Sequence, residues 1–203
     1  MFIIKHSRSQ KKINGYYNQY DLKISGREAF LASLDWHISG AGLYKRDLIE
    51  KIGYFDFNMY ADEFSVRLFM LNAKSVSFNR GIFFYNTANP NAIARKMKPE
   101  LFSKLYKEVK LLNVVHENFD SQVFIKRYIK VIQMFFDYKS TLRREFFTDN
   151  DRKFIWNQMI EARIEMKKGK SYFPNLTFQP KILVKVLLFN LSGNKLFKIL
   201  FLK

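Results

Sequence analysis

The feature that most limits how this chain can fold is the helical periodicity that fills its second half. Pro99 can start a helix that runs to about residue 119. Residues 122–136 then repeat Phe124, Tyr128, Ile132 and Phe135, a spacing that puts four apolar side chains on one helical face. Residues 149–166 read as a further helix. The chain is therefore helix-dominated after residue 99. The first half is built of shorter pieces. Residues 2–7 and 75–78 are β-branched or alternating and read as strands, as does 81–85. Ser25 with Glu28 three residues on has the form of a capping box, followed by an apolar side of Ala29, Phe30, Leu31 and Leu34. Residues 45–52 read as a short helix closed by Gly53. Ala61–Asn72 reads as a helix with Phe64, Leu68 and Leu71 along one face and Asp62 and Glu63 in its first turn. The fold class is therefore α/β, with few strands in residues 1–98, a helical extension over 99–180 and a basic amphipathic tail over 181–203.

Length and composition bound the functions available. At 203 residues the chain forms one domain or two small ones, and 48% hydrophobic residues is too apolar for disorder. Its 22 Phe and 11 Tyr argue for a heavily packed interior or an aromatic-rich surface. There is no cysteine, which excludes disulfides, thiolate zinc sites and thiol nucleophiles. The three histidines, His6, His37 and His116, share no metal-ligand spacing. A net charge of +17 points to anionic partners. The excess is uneven: no carboxylate lies between Glu63 and Glu100, and none follows Glu165, after which eight lysines occur. In the tail those lysines are interleaved with Leu, Ile, Val and Phe, a pattern suited to an anionic membrane surface. No apolar run approaches the length of a membrane span, and the start has no long apolar core of a signal peptide. These readings place the chain in the cytoplasm, with a peripheral position on the inner face of the membrane open to it.

The most informative stretch runs from Trp36 to Arg95. It reads Trp36-His37-Ile38-Ser39-Gly40-Ala41-Gly42-Leu43-Tyr44-Lys45-Arg46, then Ile52-Gly53-Tyr54-Phe55-Asp56, then Tyr60-Ala61-Asp62-Glu63-Phe64, and finally Ile82-Phe83-Phe84-Tyr85-Asn86 with Asn89-Pro90-Asn91. In this order the pieces resemble the C-terminal half of family 2 glycosyltransferases with the GT-A fold, of the kind that build bacterial surface polysaccharides. The resemblance covers roughly residues 1–118 and implies a partial GT-A domain.

The resemblance implies a chemistry. Inverting sugar transfer needs a base for the acceptor hydroxyl proton, and the family draws it from an acidic pair that maps onto Asp62 and Glu63. The usual family order is Glu then Asp with the second residue as base. Here the order is reversed, which leaves either carboxylate open to the role. Gly40, Ala41 and Gly42 would let backbone approach the donor sugar, and Arg95 and Lys96 fall where the family places a mobile loop near the donor diphosphate. Asn86 and Asn89 stand where Arg and His are common, which puts a third metal ligand in doubt. The family holds a divalent metal, magnesium or manganese, on a nucleotide sugar through an Asp-Xaa-Asp motif. The chain begins at about the strand that follows this motif, so the resemblance implies a truncated or split enzyme. It would be inactive alone, hold no cofactor of its own, and act with a donor-binding half in trans on a glycan or lipid-linked acceptor. Asp149-Asn150-Asp151 has the letters of the motif but reads as a helix cap. Trp36 could stack on a sugar ring or enter the core. Two readings from other classes stay open: a membrane-surface adaptor, and a nucleic-acid binder, against which stands the absence of any nucleic-acid motif.

Overall fold

In a computed structural model, which describes residues 3–6, 22–38, 42–55, 60–78, 82–85, 98–144 and 147–168 together with 184, 186, 188 and 189 of the tail, the capping box at Ser25 forms as its residues require. The Ser25 hydroxyl accepts from the Glu28 amide at 3.2 Å, and the Glu28 carboxylate accepts from the Ser25 amide at 2.8 Å. Helix α1 (Gly26–Leu34) follows, burying Ala29, Phe30 and Leu34. Two compact units divide the chain, Met1–Lys96 and Met97–Lys203.

In the first unit α1 packs on α3 (Ala61–Asn72), and α2 (Arg46–Ile52) packs on the same helix. Strand β1 (Ile3–His6) pairs in parallel with β4 (Ile82–Tyr85), and β2 (Lys23–Ser25) pairs antiparallel with β3 (Ser75–Ser77). Because β2 runs into α1 and α3 runs into β3, this second pairing clamps the start of α1 against the end of α3. Gly26 sits at that junction. A Cβ there would lie 2.0 Å from the Ala73 carbonyl oxygen and 2.4 Å from that of Met70. Gly→Ala within a helix ordinarily gains up to about 1 kcal/mol. Here the obstacle is backbone that no rotamer change can relieve, so Gly26→Ala should instead cost about 1–3 kcal/mol or more, read as a lower urea midpoint.

Helix α3 has the predicted bounds but a different buried face. Phe64 is buried, whereas Leu68 and Leu71 are only half-buried; Ser65, Arg67, Phe69 and Met70 complete the inner face. Arg67 causes the difference, since its guanidinium occupies the side turned to α1. The described residues 42–45, ahead of α2, are not a strand.

In the second unit a 3-10 turn (Pro99–Phe102) leads into α4 (Ser103–Asn118), and α4 packs on both α5 (Ser121–Arg144) and α6 (Asp149–Lys168). The predicted stripe on α5 is buried at Phe124, Tyr128, Ile132 and Phe135, and the helix continues well beyond residue 136. Asp120 caps α5 by accepting from the amides of Gln122 and Val123. Asp151 is taken up by a capping box at the start of α6: its carboxylate accepts from the Thr148 amide and hydroxyl, and the Thr148 hydroxyl accepts from the Asp151 amide. Helix capping therefore accounts for Asp151, while Asp149 lies in the first turn of α6. In the tail, Val186 and Phe189 are buried, and the Phe189 ring meets that of Phe135 at 4.8 Å. The described part is thus a helix-rich α/β protein. Among the described residues no helix is long and apolar enough to cross a membrane.

Candidate functional site

The first unit gathers Trp36, Tyr60, Asp62, Glu63 and Arg67 around the junction of α1 and α3. The end of α1 explains the position of Trp36. The Trp36 amide donates to Ser33 O at 3.1 Å and the His37 amide to Ala32 O at 3.0 Å, the paired bonds of a Schellman ending. That ending requires a left-handed residue, normally glycine, and Trp36 takes it with φ 60°. A bulky side chain there costs of order 1–3 kcal/mol, so tryptophan does not stand here for the sake of the turn. Nor is it core, as a tryptophan leading into a strand would be: 52% of Trp36 remains exposed.

Tyr60 repeats the anomaly. It is the N-cap of α3, a position suited to Ser, Thr, Asp or Asn in extended conformation, yet it is left-handed with φ 80° and gives no side-chain cap. Its phenol is pushed above the usual tyrosine range, first by burial and then by the charge of Glu63. Two large aromatic residues therefore hold disfavoured backbone on either side of one acidic turn.

Arg67 joins them. It is buried, and its guanidinium donates through Nη1 to the Glu63 carbonyl at 2.9 Å and to the Glu63 carboxylate at 3.2 Å. Through Nη2 it reaches Ser33 O at 3.3 Å, at the carbonyl end of α1 where a cation is favoured. The same guanidinium lies 5.1 Å from the centre of the Trp36 ring. One side chain thus fixes the indole, the end of α1 and Glu63 relative to one another. Asp62, one residue earlier, is exposed.

The wall behind α3 is aromatic. Phe55 meets Phe64 edge to face at 4.9 Å, and Tyr44 and Tyr54 each lie 5.3 Å from Phe69. The Tyr44 hydroxyl is pushed up to about 12 by burial and by Tyr54. Ser65 ties this wall to the helix, since its hydroxyl accepts from the Phe55 amide at 2.9 Å.

Of the residues singled out by sequence, Asp62 and Glu63 share the first turn of α3. Gly42 is exposed, and a Cβ on it would make only ordinary contact with the Tyr44 hydroxyl at 3.5 Å, so a side chain has room there. Gly40, Ala41, Arg95 and Lys96 lie outside the described residues. Arg67 and Tyr60 were not recognised from sequence. The Glu63-to-Arg67 spacing of four is the signal that could have identified the first, whereas a left-handed tyrosine leaves no sequence signal. Among the described residues no group of three or more His, Asp or Glu side chains could hold a metal ion. The acidic pair itself is a poor fit for a divalent cation, because a guanidinium already stands against Glu63.

Compared with protein-family models, with curated proteins and with solved structures, the chain matches none.

Proposed function

We propose that residues 1–98 are the acceptor-side half of an inverting glycosyltransferase of the GT-A type. It transfers a hexosyl group from a nucleotide sugar to a polysaccharide or lipid-linked acceptor. The donor nucleotide and its metal are held by elements outside these residues. The observation that carries this reading is the exposed Trp36 indole, kept in a disfavoured backbone conformation one guanidinium away from the acidic pair. An aromatic face binds the apolar side of a sugar ring while carboxylates take its hydroxyls, and the Arg67 guanidinium that links the indole to Glu63 supports that reading.

In the reaction an acceptor hydroxyl attacks the anomeric carbon, the new C–O bond forms as the bond to the nucleotide diphosphate breaks, and the hydroxyl proton passes to a carboxylate. Glu63 has an oxygen engaged by Arg67, which supports Asp62 as the proton acceptor and Glu63 with Arg67 as positioning residues. Gly40, Ala41 and Gly42 would border the donor sugar, with Arg95 and Lys96 near its diphosphate.

Acceptor binding is testable without a donor. The chain has two tryptophans, Trp36 and Trp156. In a Trp156→Phe variant the remaining emission reports Trp36 alone. Saturable quenching or a blue shift is expected with at least one member of a panel of hexose oligosaccharides, and Asp62→Ala should weaken that response. A flat response across the panel would count against the acceptor site.

A further inference from the structure

We propose that the tail docks on an anionic lipid surface through the face that carries Val184 and Leu188. This stands apart from the sugar-transfer reading and rests on the second unit alone. The described tail residues are helical, and they divide between two sides. Val186 and Phe189 are buried: the Phe189 ring lies against Phe135, its carbonyl accepts from Arg163 Nη2 at 3.1 Å, and the Arg163 guanidinium sits 5.5 Å from the ring centre. Val184 and Leu188, one helical turn apart, share the opposite side. They remain 53% and 39% exposed. Ile164, next in sequence to Arg163, is 45% exposed. Because Phe189 anchors this segment to α5 and α6, the aliphatic pair is held outward on a folded support.

Charge selects the occupant. After Glu165 the sequence has eight lysines and no carboxylate, five of the lysines within residues 181–203. A second copy of the chain would bring the same positive charge to the face and be repelled. A single-stranded nucleic acid would satisfy the lysines but calls for aromatic rings on which bases stack, and the exposed tail side chains described here are aliphatic. An anionic bilayer satisfies both features, taking aliphatic groups at the headgroup boundary and attracting lysines by its surface potential.

The test uses the full chain in co-sedimentation with vesicles of phosphatidylcholine and phosphatidylserine at about 3:1, beside pure phosphatidylcholine. Binding is expected to the anionic vesicles only, weakened by raised salt. A Val184→Glu, Leu188→Glu variant should bind at least about tenfold more weakly with unchanged circular dichroism. If that variant fails to fold, Val184→Ser with Leu188→Ser removes apolar surface without adding charge, and it too should bind more weakly. The proposal is overturned by wild-type protein that ignores anionic vesicles at low salt, or by folded variants that bind them as wild type does. It is equally overturned if the substitutions leave vesicle binding intact while changing self-association or oligonucleotide binding.

Discussion

Replacing Glu108 with alanine should cost the second unit about 3–5 kcal/mol, a large fraction of the total stability of a typical domain. Glu108 lies on α4 and is buried. One carboxylate oxygen pairs with the Lys107 ammonium at 3.0 Å, and the other accepts from Arg127 of α5. Lys107 and Arg127 are themselves buried. Removing the carboxylate takes an anion from between two buried cations, and the penalty comes from their desolvated charge and mutual repulsion more than from lost attraction. Two companion variants separate these terms. Glu108→Gln keeps the shape and some hydrogen bonding but not the charge, and should remain strongly destabilised. A triple variant carrying Leu or Met at 107, 108 and 127 removes all three charges together and should be far closer to wild type than Glu108→Ala. Urea denaturation followed by circular dichroism reads all three. A Glu108→Ala protein with wild-type stability would contradict the buried cluster.

This cluster shows where sequence reasoning stops. The α5 stripe was legible because burial of Phe124, Tyr128, Ile132 and Phe135 follows from spacing alone. The capping boxes at Ser25 and Thr148 are local chemistry, set by residues three apart. Lys107 and Glu108 carry no such mark. In a chain so rich in lysine a buried lysine looks like a surface one, and only the packing of α4 on α5 makes it a core residue. In the candidate site, Asp62 and Glu63 could be placed in the first turn of α3 because acidic residues there suit the helix dipole. Trp36 could not be placed correctly. Its tendency toward the interior gave way to the left-handed ending of α1, which depends on how Ser33 and Ala32 close that helix and not on the tryptophan itself. The exposed sides of Val184 and Leu188 were likewise undecided, because apolar residues fall on both sides of this segment and its contact with α5 and α6 chooses the buried one.

The second large effect concerns the acidic pair. With a donor-binding half supplied in trans or by fusion, losing the general base should lower turnover roughly 10²–10⁴-fold. Asp62 and Glu63 should divide this effect unequally. Asp62→Asn should fall in kcat, because it removes the proposed proton acceptor. Glu63→Gln and Arg67→Lys should act mainly through KM, since they loosen the link between the acidic turn and Trp36 without removing the base. Arg67→Lys is informative because lysine keeps the charge but cannot reach the Glu63 carboxylate, the Ser33 carbonyl and the Trp36 face together.

The most direct measurement is the release of nucleoside diphosphate together with glycosylated acceptor by the reconstituted protein, compared with an Asp62→Ala, Glu63→Ala double variant of confirmed fold. The account predicts metal-dependent turnover by the reconstituted wild type, none by this chain alone, and a loss of two orders of magnitude or more in the double variant. Turnover by the double variant at the wild-type rate, or transfer by the isolated chain without any donor half, would contradict it.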